Sequence, residues 1–99
     1  MALEMLVGLN VTDDNSYQNY RNEMTPILEE FGGGFGYDFK VSEVLKSQTE
    51  ASINRVFTIY FSSEDSMNEF FTNEEYLKIK KRHFEASVSD TTIIATYER

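Results

Sequence analysis

Phe31-Gly32-Gly33-Gly34-Phe35-Gly36-Tyr37-Asp38-Phe39 is where the periodicity of the chain changes. On its N-terminal side, Tyr17, Tyr20, Met24, Ile27, Leu28 and Phe31 recur at steps of three and four, which is one stripe of a helix. On its C-terminal side, Phe35, Tyr37, Phe39 and Val41 alternate with Gly36, Asp38, Lys40 and Ser42, the period of a strand. Gly32 is placed to end the helix as a left-handed cap. The glycines do not make a phosphate loop, because such a loop follows a strand and opens a helix, and here the order is reversed. Pro26 lies inside the helical stripe and cannot donate to the Asn22 carbonyl. The apolar phase survives it, so the spacing predicts a kinked but continuous helix.

Working outward, Leu3, Met5, Val7, Leu9 and Val11 alternate with more polar or smaller residues, giving a first strand. Asp13 is the predicted helix cap. Residues 47–52 are polar and read as a hairpin loop. Arg55 to Phe61 is the most β-prone stretch of the chain. Ser62 and Ser63 offer caps for a short helix carrying Met67, Phe70 and Phe71. Thr72 and Glu75 have the spacing of a capping box for a further helix, with Tyr76, Leu77, Ile79, His83 and Phe84 on its apolar side. Thr91 to Tyr97 is the last strand.

The order strand, helix, strand, strand, helix, strand is the ferredoxin-like βαββαβ arrangement of the α+β class. It predicts one domain over residues 1–99, a four-stranded antiparallel sheet with helices on one face. The other face would carry Tyr37, Phe57 and Ile59, or their neighbours in the opposite register. An uncovered apolar sheet face is poorly tolerated, so the expectation is a homodimer, two sheets packed around a twofold axis with a pocket between them.

A formal net charge of −8 argues against a nucleic-acid partner. No uncharged apolar run approaches the roughly 18 residues that a membrane helix needs, so no membrane partner is expected. There is no cysteine, and Met1 to Val11 does not read as a signal peptide; both fit a cytoplasmic protein. The basic cluster Lys78, Lys80, Lys81, Arg82 and His83 suits the negative end of a helix.

His83, the one histidine, has its unperturbed pKa near neutrality and is the candidate catalytic proton shuttle; the competing reading is a half-buried histidine at a basic helix end. A single histidine without cysteine predicts no metal site, and no cofactor is expected. Arg55 would point at apolar surroundings if it shares a face with Phe57, Ile59 and Phe61. It then either clamps a carboxylate bidentately or pairs with Asp38. Asp38, between Tyr37 and Phe39, is either a buried base or that ion-pair partner. Tyr37 and Tyr76 complete the candidate substrate-binding set.

Three stretches together resemble a known family. They are Asp13, Tyr17, Tyr20, Pro26 and Leu28 running into Phe31-Gly32-Gly33; Arg55-Val56-Phe57-Thr58-Ile59-Tyr60-Phe61-Ser62-Ser63; and Phe70-Phe71-Thr72-Asn73-Glu74-Glu75-Tyr76. The chain is similar to the dimeric α+β barrel superfamily, and within it to an uncharacterised domain-of-unknown-function branch whose Pro-containing helix ends in Tyr-Gly-Gly. Phe70 stands where that branch commonly has tryptophan, Glu74 where it has proline, and His83 about where it has arginine. The resemblance implies a barrel-forming dimer. It also implies cousins among cofactor-free monooxygenases, small-molecule isomerases, haem-degrading enzymes and dye-decolourising peroxidases. The expected function is binding, with or without cofactor-free conversion, of a small hydrophobic organic acid or ketone. The alternatives are a non-catalytic assembly module and a cofactor-free oxygenase.

Overall fold

Nine elements follow one another in the computed structural model, which describes residues 2–99; Met1, the first residue of the expected 1–99 domain, lies outside them. They are β1 (Leu3–Val11), α1 (Asp14–Glu30), β2 (Gly34–Lys40), β3 (Arg55–Phe61), α2 (Glu64–Thr72), α3 (Glu74–Ile79), a π-helical turn (Lys80–Phe84), α4 (Glu85–Ser87) and β4 (Val88–Glu98). The strands form one sheet in the order β2-β3-β1-β4, with every neighbouring pair antiparallel. The sheet is the ferredoxin-like one expected, and its last strand is longer than the apolar pattern indicated.

Caps set the helix ends. Asp13 accepts from the Ser16 backbone N–H at 3.1 Å, and Ser63 accepts from that of Ser66 at 3.1 Å. α1 runs unbroken through Pro26. The cap of α3 corrects the sequence reading. Asn73, not Thr72, accepts from the Tyr76 N–H, while Thr72 Oγ1 turns back to the Asn68 carbonyl inside α2. Gly32 has φ +74°, and the N–H groups of Gly32 and Gly33 close on the Glu29 and Leu28 carbonyls.

Met5, Val7 and Leu9 of β1 and Phe57, Ile59 and Phe61 of β3 face the helices and meet Tyr17, Tyr20, Met24 and Leu28 of α1. Phe61, Phe70, Leu9 and Leu28 are almost wholly buried, each contributing about 1.5–3 kcal/mol by leaving water.

β2 departs from simple alternation. Phe35 pairs with Ile59 and Asp38 with Phe57, so Gly36 and Tyr37 together oppose Thr58 in a β-bulge. The Tyr37 N–H donates to Thr58 Oγ1 at 2.8 Å there. Phe35 and Asp38 therefore face the helices, whereas Tyr37 and Phe39 stack at 5.8 Å on the open face. Of the two registers left open by the sequence, β3 takes the one that buries Phe57 and Ile59 under the helices, so they do not share the open face with Tyr37. A second bulge in β4 leaves Ile94 unpaired between Ile93 and Ala95.

The loop from Val41 to Asn54 crosses the open side of β1. Ile53 seats so close over Gly8 that a Cβ there would lie 3.0 Å from its Cδ1. Asn54 fixes the loop's end. Its side chain accepts from the Val11 N–H and donates to the Val11 carbonyl, both at 2.8 Å.

Gly32 carries a direct test. An alanine there would be strained by the positive φ, and its Cβ would come 2.7 Å from Ser62 Oγ. Gly32→Ala should lower the unfolding free energy by about 1–2 kcal/mol in urea denaturation, with the slope unchanged.

Candidate functional site

Between α1, the α3–π segment and the sheet lies a cavity of about 290 Å3. It sits on the helix side, within the one chain. The pocket expected between two sheets is a different one, formed only where a second copy packs on the open face. On the open face there is instead a depression bordered by Val44, Ile53 and Ile94 and by the polar residues Lys46 to Thr49.

One stripe of α1 supplies much of the cavity wall. Tyr17, Tyr20, Arg21 and Met24 are spaced at three and four residues and so lie on one helix face. β1 and β3 add Met5, Val7, Leu9, Phe57 and Ile59, and β2 adds Phe35. Tyr76, Lys80 and Phe84 come from the α3–π segment, at steps of four. Among the described residues, no aspartate or glutamate lines the cavity.

Arg21 is the dominant charge in this wall. Its side chain is 11% exposed, its Nε donates to the Tyr17 hydroxyl at 2.8 Å, and its Nη1 lies 3.4 Å from Asp38 Oδ2. The guanidinium stacks 3.8 Å from the Phe35 ring centroid and 4.7 Å from that of Phe57. Its Nη2 is buried with no hydrogen-bond partner among the described residues.

Arg55 is not in the cavity wall. Its Nε and Nη2 both donate to the Asp38 carboxylate at 2.7 Å, a bidentate pair at the edge of the sheet. Asp38 is thus the ion-pair partner rather than a free base. The hydrogen bonds from Arg55 lower its carboxyl pKa, against an opposing push from burial, with the Arg21 charge adding to the lowering. The bulge of β2 allows this, by turning Asp38 toward the helix side where both arginines lie.

Tyr76 lines the cavity, and its hydroxyl lies 2.8 Å from that of Tyr20. Burial raises the pKa of Tyr20 well above its usual value and also raises those of Tyr17 and Tyr76, so all three are neutral phenols near pH 7. Tyr37, by contrast, is 66% exposed on the open face, away from this cavity.

His83 is also outside the cavity wall. Its Nε2 meets Glu23 Oε2 at 2.5 Å, and Arg82 joins the same carboxylate at 3.2 Å. The π turn is the physical reason. It widens one turn of the helix, so that Phe84, packed 4.9 Å from the Tyr20 ring, follows Tyr76 and Lys80 to the cavity, while His83 meets Glu23 on α1. The proton-shuttle role expected of His83 would have to act outside this cavity. Sequence reasoning passed over Arg21, Tyr20 and Tyr17 as site residues. The available signal was a cation in the stripe Tyr17, Arg21, Met24, Leu28, where a helix otherwise keeps apolar residues.

Fold and cavity together define a ferredoxin-like α+β protein with a pocket between its helices and its sheet. The model of a domain of unknown function, DUF1330, matches residues 5–97, and the chain belongs to that family. Among solved structures, a protein of unknown function from Rhodopseudomonas palustris is similar at 18% identity with a TM-score of 0.83, over 99% of this chain and 82% of that one. A dabb family protein with a ferredoxin-like fold from Mesorhizobium loti is 10% identical with a TM-score of 0.68, over 99% of this chain and 96% of that one. A dimeric ferredoxin-like protein of unknown function from Jannaschia is 12% identical with a TM-score of 0.61, over all of both chains. No curated protein matches the sequence. Among the described residues, no helix is long and apolar enough to cross a membrane.

The Asp38 pair sets a pH dependence. The folded pKa of Asp38 lies below its ordinary value of 3.8. Its contribution to stability is therefore fully present above that value and is lost as pH falls through the folded pKa. Asp38→Asn should lower Tm at pH 7, where it leaves Arg21 and Arg55 without their shared carboxylate. It should also flatten the fall in Tm on the acid side of about pH 4, which a melting series from pH 2.5 to 7 reads directly.

Proposed function

We propose that the protein is a homodimer in which each subunit holds a small hydrophobic organic acid or ketone in the helix–sheet cavity. The observation that carries this reading is an apolar cavity of about 290 Å3 with one buried guanidinium in its wall and no carboxylate. Such a cavity is near the lower end of the size range of small-ligand sites and has their pattern of mostly apolar walls with few polar groups. Arg21 gives it a preference for negative or electron-rich oxygen. Asp38 does not fully neutralise Arg21, because it is committed bidentately to Arg55. The same site runs without a bound cofactor in this reading, as a receptor or as a catalyst of proton movement.

The dimer is supported by the open sheet face. Tyr37, Phe39 and Ile94 are exposed there by about half or more, and apolar patches of this kind mark contact surfaces. The dimeric ferredoxin-like protein from Jannaschia gives a precedent in the fold. A pure assembly module is the second reading, favoured by that face alone.

Two measurements test these readings, and the second separates them. Light scattering should return about twice the 11.5 kDa chain mass, and Phe39→Glu should return the single-chain mass. Benzoate should raise Tm of the wild type, a ligand at 100 times its Kd adding about 2.7 kcal/mol. Arg21→Met should abolish that rise. A dimer that never responds to benzoate or other small acids and ketones favours the assembly module.

A further inference from the structure

Three tyrosines line the cavity, and the hydrogen bonds of their hydroxyls do not use all their protons. Tyr20 and Tyr76 share one bond of 2.8 Å, in which either hydroxyl donates. Two neutral phenols carry two protons, so one proton of the pair has no acceptor among the described residues. The Tyr17 hydroxyl accepts from Arg21 Nε, and its own proton likewise finds none. Arg21 Nη2 adds buried N–H groups without a partner among the described residues. Tyr17, Tyr20 and Arg21 lie on one face of α1, with Tyr76 opposite, so the residues that carry these unused donors share one part of the cavity wall. No carboxylate in the lining answers them, and the one nearby, on Asp38, is held by Arg55. Buried donors without acceptors are costly, and a ligand that only accepts relieves the cost.

We propose that the Tyr20–Tyr76 pair, with Tyr17 and Arg21 beside it, is a site for a ligand oxygen that accepts and does not donate: the carbonyl oxygen of a ketone or quinone, or the enolate derived from it. The site rests on the cavity reading above and narrows it. The apolar wall of Met5, Ile59 and Phe84 takes the ligand's carbon skeleton, and the donors take its oxygen. The high pKa of both phenols keeps them as donors across the neutral range. A cationic or donor-only ligand is rejected, because it brings protons to a wall already in surplus and a positive charge to Arg21.

Three molecules of nearly equal shape test this: ethylbenzene, acetophenone and 1-phenylethylamine, titrated into the wild-type protein by calorimetry or ligand-observed NMR. Acetophenone should bind about ten-fold tighter than ethylbenzene, the scale of one good hydrogen bond, and the amine should bind weakest. The carbonyl stretch of bound 13C-labelled acetophenone should shift to lower wavenumber than in hexane. Tyr76→Phe should move it back and should narrow the ten-fold preference, leaving ethylbenzene affinity within about two-fold. A role for the pair that is only structural, tying α1 to α3, would leave the wild-type carbonyl stretch at its hexane value. That result, or equal affinity for acetophenone and ethylbenzene, overturns the donor site and leaves the cavity reading standing. Failure of all three molecules to bind overturns both. The wild-type infrared measurement decides the matter even if Tyr76→Phe does not fold.

Discussion

The extra residue that β2 inserts opposite Thr58 governs the chemistry of both faces of the sheet. In a regular strand Phe35, Tyr37 and Phe39 would lie together on one face and Asp38 on the other. The bulge at Gly36 and Tyr37 divides them. Phe35 stays under α1, where it becomes the platform for the Arg21 guanidinium. Asp38 joins it on that side and collects both arginines. Tyr37 and Phe39 are released to the open face as a stacked pair. A single backbone irregularity thus builds the polar corner of the cavity and the apolar patch opposite it. Bulges beside functional sites commonly re-aim side chains in this manner.

The electrostatics follow from unequal sharing. Asp38 is one negative charge between two guanidiniums, and geometry gives both of its short bonds to Arg55. Arg21 keeps a longer contact and is stabilised mainly by aromatic faces and the Tyr17 hydroxyl. Ring quadrupoles stabilise a cation without discharging it. The result is a buried positive group beside a space walled by methionine, leucine and phenylalanine, where the low polarity strengthens attraction for an incoming oxygen.

The element order and most of the core were legible because each rests on apolar spacing, and spacing is a direct imprint of backbone period. Asp13 and Gly32 were legible for a similar reason, each being one of few residue types suited to its backbone position. The pairing of Arg55 with Asp38 stood as one of two readings of the same residues. What escaped were shifts of phase. Nothing in Phe35-Gly36-Tyr37-Asp38-Phe39 distinguishes a bulged strand from a regular one, since the alternation looks intact either way. Residues 76–84 likewise fit a plain α-helix. Only packing reveals the π turn, which brings Phe84 to the cavity and leaves His83 against Glu23. Arg21 was passed over because a charged helix residue is ordinarily solvated, and its aromatic bed comes from strands distant in sequence. The choice between Thr72 and Asn73 as a cap turned on a single residue of register, which spacing does not resolve.

The Asn54 clasp on Val11 has a consequence for how the chain tolerates change. Val41 and Asn54 also meet directly, the Val41 N–H donating to the Asn54 carbonyl at 2.9 Å, and the Asn54 N–H reaches the Leu9 carbonyl at the same distance. The neck of the 42–53 segment is therefore closed by its own hydrogen bonds, independent of the tip. Leu45, 88% exposed, lies within that segment. Closing a longer loop through a fixed neck costs only the logarithm of its length, about 0.6 kcal/mol for each doubling. The segment can lengthen, shorten or accept a foreign sequence while β2 and β3 keep their register. It is the place where two proteins sharing this scaffold can differ most at the least expense to the fold.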